Sequence, residues 1–124
     1  MTAGAAGARW VLLLESGDPR RLCEAAAMAA TAASLGTDVT LVWLAGGLQA
    51  LVSGRLDTEP AEPRCAADLF AEARDTGRVR SLACSAAMVG SGVSPQTLRP
   101  SVDEIVGWPT IVSLLRSAEK SFIW

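Results

Sequence analysis

Short apolar runs alternate with stretches of helix-forming residues along most of the chain. The first run, Arg9 to Leu14, is continuously apolar after its first residue, which is typical of a strand buried on both faces. Asp18-Pro19 then provides a helix cap and an early proline, and helix formers continue to Leu35, where Gly36 ends them. This order predicts a strand followed by a crossover helix.

A second unit follows with the same order and a longer connection. Asp38 to Leu44 is rich in β-branched and apolar residues and is predicted to be a strand. Gly46-Gly47 is predicted to form a tight turn into a short helix, Leu48 to Val52. Glycine, two prolines and several charges predict an exposed, mobile loop from Gly54 to Arg64, and helical spacing resumes from Ala66 to Arg74.

The second half of the chain contains a third strand and several shorter elements. Val79 to Ala83 is an apolar strand that leads directly into Cys84 and a small-residue helix start, Ser85 to Met88. The remaining predictions are a helical turn from Ser94-Pro95 to Leu98, an extended piece at Val102 to Val106, a helix from Gly107 to about Ala118, and a closing strand, Lys120 to Trp124.

Strands that alternate with helices imply parallel pairing through right-handed crossovers. We therefore expect an α/β fold, a single three-layer domain over residues 9–124 with a five-stranded, mainly parallel sheet flanked by helices. A length of 124 residues fits one core. Residues 1–8 are mostly Ala and Gly and are expected to be a mobile tail.

In such a sheet, ligands bind outside the carboxyl ends of the strands. Cys84 is the first candidate for chemistry because it joins a strand end to a helix start, where unpaired backbone N–H groups and the helix dipole favour a thiolate. The alternative is a buried cysteine that packs as a small apolar residue. The residues predicted to line a binding crevice beside it are Ser16, Gly17, Trp43, Ser85, Gly107 and Trp108.

Composition excludes several kinds of partner and site. Eleven basic and 13 acidic residues give a net charge of -2, and the basic residues are scattered, so we expect no nucleic-acid partner. The run Trp10 to Leu14 is too short for a signal core or a membrane span, so no membrane association is expected. The chain has no histidine and no paired cysteine spacing, and we expect no metal and no cofactor.

Three cysteines, an odd number, argue against a disulfide framework and favour a reducing, cytoplasmic location. Cys23 lies on an alanine-rich helix and is expected to be structural. Cys65 ends the predicted loop and is either structural or a resolving thiol that reaches Cys84. Trp43 is predicted to be either a core residue or an interface anchor. Trp108 is predicted to line either the pocket around Cys84 or a contact between subunits.

The second half of the chain also resembles a known family. The residues that carry the resemblance are Leu82-Ala83-Cys84-Ser85-Ala86-Ala87-Met88, Gly92-Val93, Ser94-Pro95, Val102-Asp103-Glu104-Ile105-Val106-Gly107 and Ser121-Phe122-Ile123-Trp124. In this order they resemble the DsrE/DsrF-like proteins, and the similarity extends from Arg9 to the end. The resemblance implies a small α/β protein that assembles into trimers or hexamers, with a strand-end cysteine that carries sulfane sulfur between protein partners.

Two classes of function follow. In the first, Cys84 is a persulfide carrier in cytoplasmic sulfur transfer, with sulfur donor and acceptor proteins as partners and with nearby backbone N–H groups and Ser85 stabilising the anion. In the second, the chain is a non-catalytic binding module in which Cys84 only lines a crevice for a small ligand or protein. An apolar fraction of 50% in so small a chain favours a homo-oligomer under either hypothesis.

Overall fold

The computed structural model describes residues 9–57 and 66–124. The strands of these residues are β1 (Arg9–Leu14), β2 (Asp38–Trp43), β3 (Val79–Cys84), β4 (Glu104–Val106) and β5 (Lys120–Ile123). The helices are α1 (Pro19–Ser34), α2 (Ala45–Ser53), α3 (Ala66–Asp75), α4 (Ser85–Ser91), α5 (Pro95–Leu98) and α6 (Trp108–Ser117), with a 3-10 turn at Arg55–Asp57.

The five strands form one sheet in the order β4-β3-β2-β1-β5, and every neighbouring pair is parallel. The predicted α/β fold is confirmed, and the sheet is entirely rather than mainly parallel. Leu12 of β1 pairs with Leu41 of β2 and Phe122 of β5, which places β1 in the interior of the sheet. Its continuous apolar run follows from this position, because helices cover both faces.

The two faces of the sheet carry separate apolar clusters. On the first face, side chains of α1, α2 and α3 pack against alternate strand residues that include Leu41, Trp43 and Ala83. On the second face, Ile111 of α6 packs against a cluster that includes Val42 and Cys84. Successive side chains of a strand point to opposite faces of the sheet, so two neighbouring residues of one strand belong to different clusters.

Helix α1 begins and ends as predicted. The Asp18 Oδ1 atom accepts a hydrogen bond from the Arg20 backbone N at 3.0 Å, and Pro19 occupies the first turn. Gly36 follows the end of the helix at a φ of +94°, a left-handed conformation that costs glycine little. The cap and the glycine therefore set the two limits of this helix.

Helix α2 begins at Ala45, so the predicted turn at Gly46-Gly47 and helix start at Leu48 are wrong. Both glycines lie in the first helical turn, against the backbone end of β1. A Cβ atom on Gly47 would overlap the Leu14 carbonyl oxygen, and one on Gly46 would lie 2.6 Å from the Glu15 carbonyl oxygen. These glycines allow close helix-to-strand packing, a requirement set by the tertiary structure.

The segment predicted as extended from Val102 forms strand only from Glu104. Asp103 instead bonds Ser81 twice: its backbone N donates to the Ser81 carbonyl oxygen at 2.6 Å, and its Oδ2 atom accepts from the Ser81 N at 2.7 Å. Asp103 also pairs with Arg74 at 2.8 Å, and Glu104 pairs with Arg80 at 2.7 Å. These contacts hold Asp103 and the start of β4 against β3 and α3.

Several predictions fall wholly or partly outside the described residues. The tail at residues 1–8, Cys65 and most of the predicted loop lie there. Of that loop, Gly54 ends α2 at a φ of +79° and is followed by the 3-10 turn. Within residues 9–57 and 66–124, every helix is too short or too polar to cross a bilayer.

Candidate functional site

A cavity of about 380 Å³ lies at the carboxyl edge of the sheet. Residues at or just after four strands line it: Glu15 after β1, Leu44 and Ala45 after β2, Cys84 with Ala86 and Ala87 at β3 and α4, and Trp108 after β4. The cavity therefore lies outside the carboxyl ends of the strands, the edge where ligands bind in parallel sheets. The direction of the strand order reverses between β1 and β5. The gap between the ends of those two strands is closed, because the backbone N atoms of Glu15 and Ser16 donate to the Trp124 carbonyl oxygen at 3.0 and 2.7 Å.

Cys84 is the last residue of β3 and the capping residue of α4. Its side chain belongs to the apolar cluster of the second face, with Val42, Leu82 and Val106, and the residue is 1% exposed. It also forms part of the cavity wall. The side chain is thus packed among apolar neighbours, and the residue lies beside the cavity.

Three of the predicted crevice residues lie at this end of the sheet beside Cys84. Trp108 lines the cavity and is 48% exposed. Gly107 and Ser85 lie side by side, since a Cβ atom on Gly107 would be 3.7 Å from the Ser85 Oγ atom. The ends of β3 and β4 thus place Ser85, Gly107 and Trp108 around the turn that contains Cys84.

Ser16 and Gly17 follow β1 but are outside the described cavity lining. The Ser16 Oγ atom accepts a hydrogen bond from the Asp18 backbone N at 3.0 Å, so this hydroxyl supports the start of α1. Gly17 packs against Gly46, whose carbonyl oxygen would be 3.1 Å from a Cβ atom at Gly17. In this structure both residues hold the β1 end against α1 and α2.

Trp43 and Cys84 are not brought together, because their side chains lie on opposite faces of the sheet. Trp43 is in register with Ala83, the residue before Cys84, and both pack in the cluster of the first face. Its indole Nε1 donates to the Ser81 Oγ atom at 2.8 Å, and its ring meets Phe70 with 5.1 Å between centroids. Trp43 lines a different cavity, of about 230 Å³, with Phe70 and Ser81.

Sequence reasoning placed Leu44 and Ala45 at the carboxyl ends of the strands, and both line the cavity. It did not name three other lining residues, Glu15, Ala86 and Ala87. The signal for Glu15 is its position directly after the end of β1, and that for Ala86 and Ala87 is their place in the first turn after Cys84.

The described residues offer no metal centre. Among them, no group of three or more His, Cys, Asp or Glu side chains is placed to hold a metal ion. The residues that line the cavity are one cysteine, one glutamate, one tryptophan, one leucine and three alanines. Such a set suits thiol exchange or the binding of a small, largely apolar group.

Comparisons with known proteins give the fold and the family. A solved structure of a conserved protein of unknown function from Bacteroides thetaiotaomicron is similar to this one with a TM-score of 0.74 and 12% sequence identity, and the match covers 99% of this chain and 100% of that one. No curated protein matches the chain with significance. The model of the DsrE/DsrF-like family matches residues 11–122, and the chain therefore belongs to the DsrE/DsrF-like family.

Proposed function

We propose that Cys84 receives a sulfane sulfur from a donor, holds it as a persulfide and passes it to an acceptor thiol in cytoplasmic sulfur transfer. The DsrE/DsrF-like family is associated with sulfur relay in general. The observation that carries the proposal is the position of Cys84 in the wall of a cavity at the carboxyl edge of a parallel sheet. That position places the cysteine where β3 passes into α4, next to a space that could receive a donor.

The transfer consists of two thiol exchanges. The Cys84 thiolate attacks the outer sulfur of a donor persulfide, a new S–S bond forms, and the donor leaves as a thiolate. The acceptor thiolate then attacks the outer sulfur on Cys84, forms the next persulfide and releases the Cys84 thiolate. The transferred sulfur keeps its proton and no net oxidation occurs, so the exchange needs no metal or cofactor.

The surroundings of Cys84 suit the holding step. A persulfide adds one sulfur atom beyond the thiol, and a cavity of about 380 Å³ offers roughly ten times the share of one water molecule. The apolar side chains around the thiol, which include Val42, Leu82 and Val106, keep water from most of its surface. A shielded outer sulfur is protected from unwanted thiols until a partner reaches the cavity.

Mass spectrometry after incubation with glutathione persulfide tests this proposal. We expect the natural chain to gain the mass of one sulfur on the peptide that contains Cys84, and a second incubation with a small thiol to remove it. Cys84→Ala should lose this adduct, whereas Cys23→Ala, the matched control on α1, should retain it. A Cys84 peptide that gains no sulfur at any donor concentration would contradict the proposal.

The second candidate function is a non-catalytic binding module. The observation that favours it is the 1% exposure of Cys84 within the second-face cluster, because a fully packed thiol behaves as a small apolar residue. In that case the cavity binds a small ligand or a protein segment, and Cys84→Ala leaves the binding intact. Cys84→Ala therefore distinguishes the two functions, because it should abolish sulfur transfer and should leave ligand binding intact.

We also propose that the chain forms a homo-oligomer, a trimer or hexamer, that meets donor and acceptor proteins at the carboxyl edge of the sheet. Exposed apolar side chains support this part of the proposal. Trp108 is 48% exposed, Val112 on the next turn of α6 is 42% exposed, and Ile123 on β5 is 67% exposed. Apolar side chains exposed in groups are commonly covered by a symmetry mate.

A further inference from the structure

A second cavity, on the first face of the sheet, is not used by the proposed function. Its volume is about 230 Å³, and Cys84 is not part of its described lining. Side chains from β2, α2, α3 and the turns after α2 and α5 form its apolar wall, namely Leu41, Trp43, Leu51, Leu56, Phe70 and Pro100. Two further lining residues, Asp57 and Ala71, are exposed, so the cavity opens to solvent on the side of α3.

Two aromatic rings form a buried part of this wall. The ring centroids of Trp43 and Phe70 are 5.1 Å apart with 63° between the ring planes, and the two residues are 1% and 7% exposed. This edge-to-face arrangement is one that aromatic rings prefer. Because both residues line the cavity, a flat apolar ligand that enters it contacts two aromatic side chains that are already packed in place.

The polar groups behind these rings bond to one another. The Trp43 Nε1 atom donates to the Ser81 Oγ atom at 2.8 Å, and that hydroxyl donates to the Ser101 carbonyl oxygen at 3.1 Å. The same carbonyl oxygen accepts from the Arg74 Nη1 atom at 3.3 Å. Trp43, Ser81, Ser101 and Arg74 all line the cavity. The buried indole N–H and the Ser81 hydroxyl therefore need no polar partner from a ligand.

We infer that this cavity binds a small, uncharged aromatic compound whose ring packs against Trp43 and Phe70. The volume fits, because a dry cavity of about 150 Å³ is enough to bind benzene, and this one leaves room for a short substituent. A charge on the ligand adds little. Asp103 already pairs with the Arg74 guanidinium at 2.8 Å, and Asp57 is exposed, where ion pairs contribute weakly.

Three planar probes of nearly the same shape test the inference by titration of the ¹⁵N-labelled protein. Benzamide is uncharged, benzoate is an anion and benzamidinium is a cation. The measured quantity is the ¹H–¹⁵N signal of the Trp43 indole, which is identified by its absence in Trp43→Phe. We expect benzamide to shift this signal to saturation, because a ring packed against the indole changes its magnetic surroundings. Benzamide should bind several-fold more tightly than either charged probe.

Ala71→Leu is the test variant and Ala86→Leu is the matched control. Both alanines are exposed residues of helices, but Ala71 lines this cavity and Ala86 lines the Cys84 cavity. The larger side chain at position 71 takes up space in the wall, so benzamide should bind about tenfold more weakly. Ala86→Leu should leave the affinity unchanged, and urea denaturation checks that both variants are folded.

The inference is overturned if benzamide gives no saturable shift, or if a charged probe binds as tightly as benzamide. It is also overturned if Ala71→Leu binds like the natural chain, or if Ala86→Leu weakens binding equally, because the signal then reports a different site. The proposed sulfur transfer is tested separately. Cys84→Ala should bind benzamide like the natural chain, and the transfer of sulfur from glutathione persulfide does not depend on this cavity.

Discussion

Trp43 and Ser81 form a buried hydrogen bond between neighbouring strands. The Trp43 Nε1 atom donates to the Ser81 Oγ atom at 2.8 Å, and both residues are 1% exposed. The Ser81 hydroxyl in turn donates to the Ser101 carbonyl oxygen at 3.1 Å. This chain of bonds satisfies the Trp43 indole N–H and the Ser81 hydroxyl on the first face of the sheet, opposite the face that holds the Cys84 side chain.

Ser81→Ala is expected to lower the free energy of unfolding by about 1–3 kcal/mol, because it leaves the buried indole N–H without an acceptor. Urea denaturation measures the loss. In a double-mutant cycle, Trp43→Phe removes the donor, so adding Ser81→Ala to Trp43→Phe should cost less than it does in the natural chain. Equal costs in both backgrounds would show that the bond contributes nothing.

Gly47→Ala is expected to destabilise the protein by about 1–3 kcal/mol, because the added Cβ atom would overlap the Leu14 carbonyl oxygen and force α2 away from β1. The usual effect of this substitution inside a helix has the opposite sign, since glycine costs about 0.5–1 kcal/mol relative to alanine. Thermal and urea denaturation both report the change.

Gly90→Ala is the matched control for that prediction. Gly90 also lies in a helix, α4, and no heavy atom outside its local backbone lies within 4 Å of an added Cβ atom. Here we expect a gain of about 0.5–1 kcal/mol. Stabilisation by both substitutions would mean that α2 is not held against the end of β1 as described.

Trp108→Ala is expected to speed the modification of Cys84 by a neutral thiol reagent several-fold, because the indole forms part of the wall of the cavity that borders the thiol. Val112→Ala, one turn further along α6 and outside the described cavity lining, is the control and should leave the rate near that of the natural chain. Peptide-level mass spectrometry gives both rates. An unchanged rate in Trp108→Ala would mean that reagents reach the thiol by another route.

Val112→Asp is expected to reduce the molecular mass in solution from that of an oligomer to that of a smaller species. The physical reason is that a carboxylate at a half-exposed apolar position of α6 is costly to bury against a second copy. Ser113→Asp, at an exposed polar position of the same helix, is the control. Light scattering after size-exclusion chromatography measures the mass, and an unchanged mass in Val112→Asp would exclude this part of α6 from the interface.

Local patterns were sufficient for most of the fold. A continuous apolar run marked β1, the Asp18-Pro19 pair marked the start of α1, and alternation of strands with helices predicted the parallel sheet. These features depend on residues close together in sequence, so they can be read without coordinates. The place of Cys84 at a strand end also followed from local sequence.

What the sequence by itself determined was therefore the set of elements, the fold class, the family and the edge of the sheet where chemistry is expected. The tertiary structure decided which side chains share that edge. Trp43 and Cys84 both end strands, but the register that pairs Trp43 with Ala83 places them on opposite faces. Glu15 lines the cavity, and Gly47 packs against the backbone end of β1, because segments far apart in sequence lie close together in the fold. Local sequence patterns do not show which distant segments will meet.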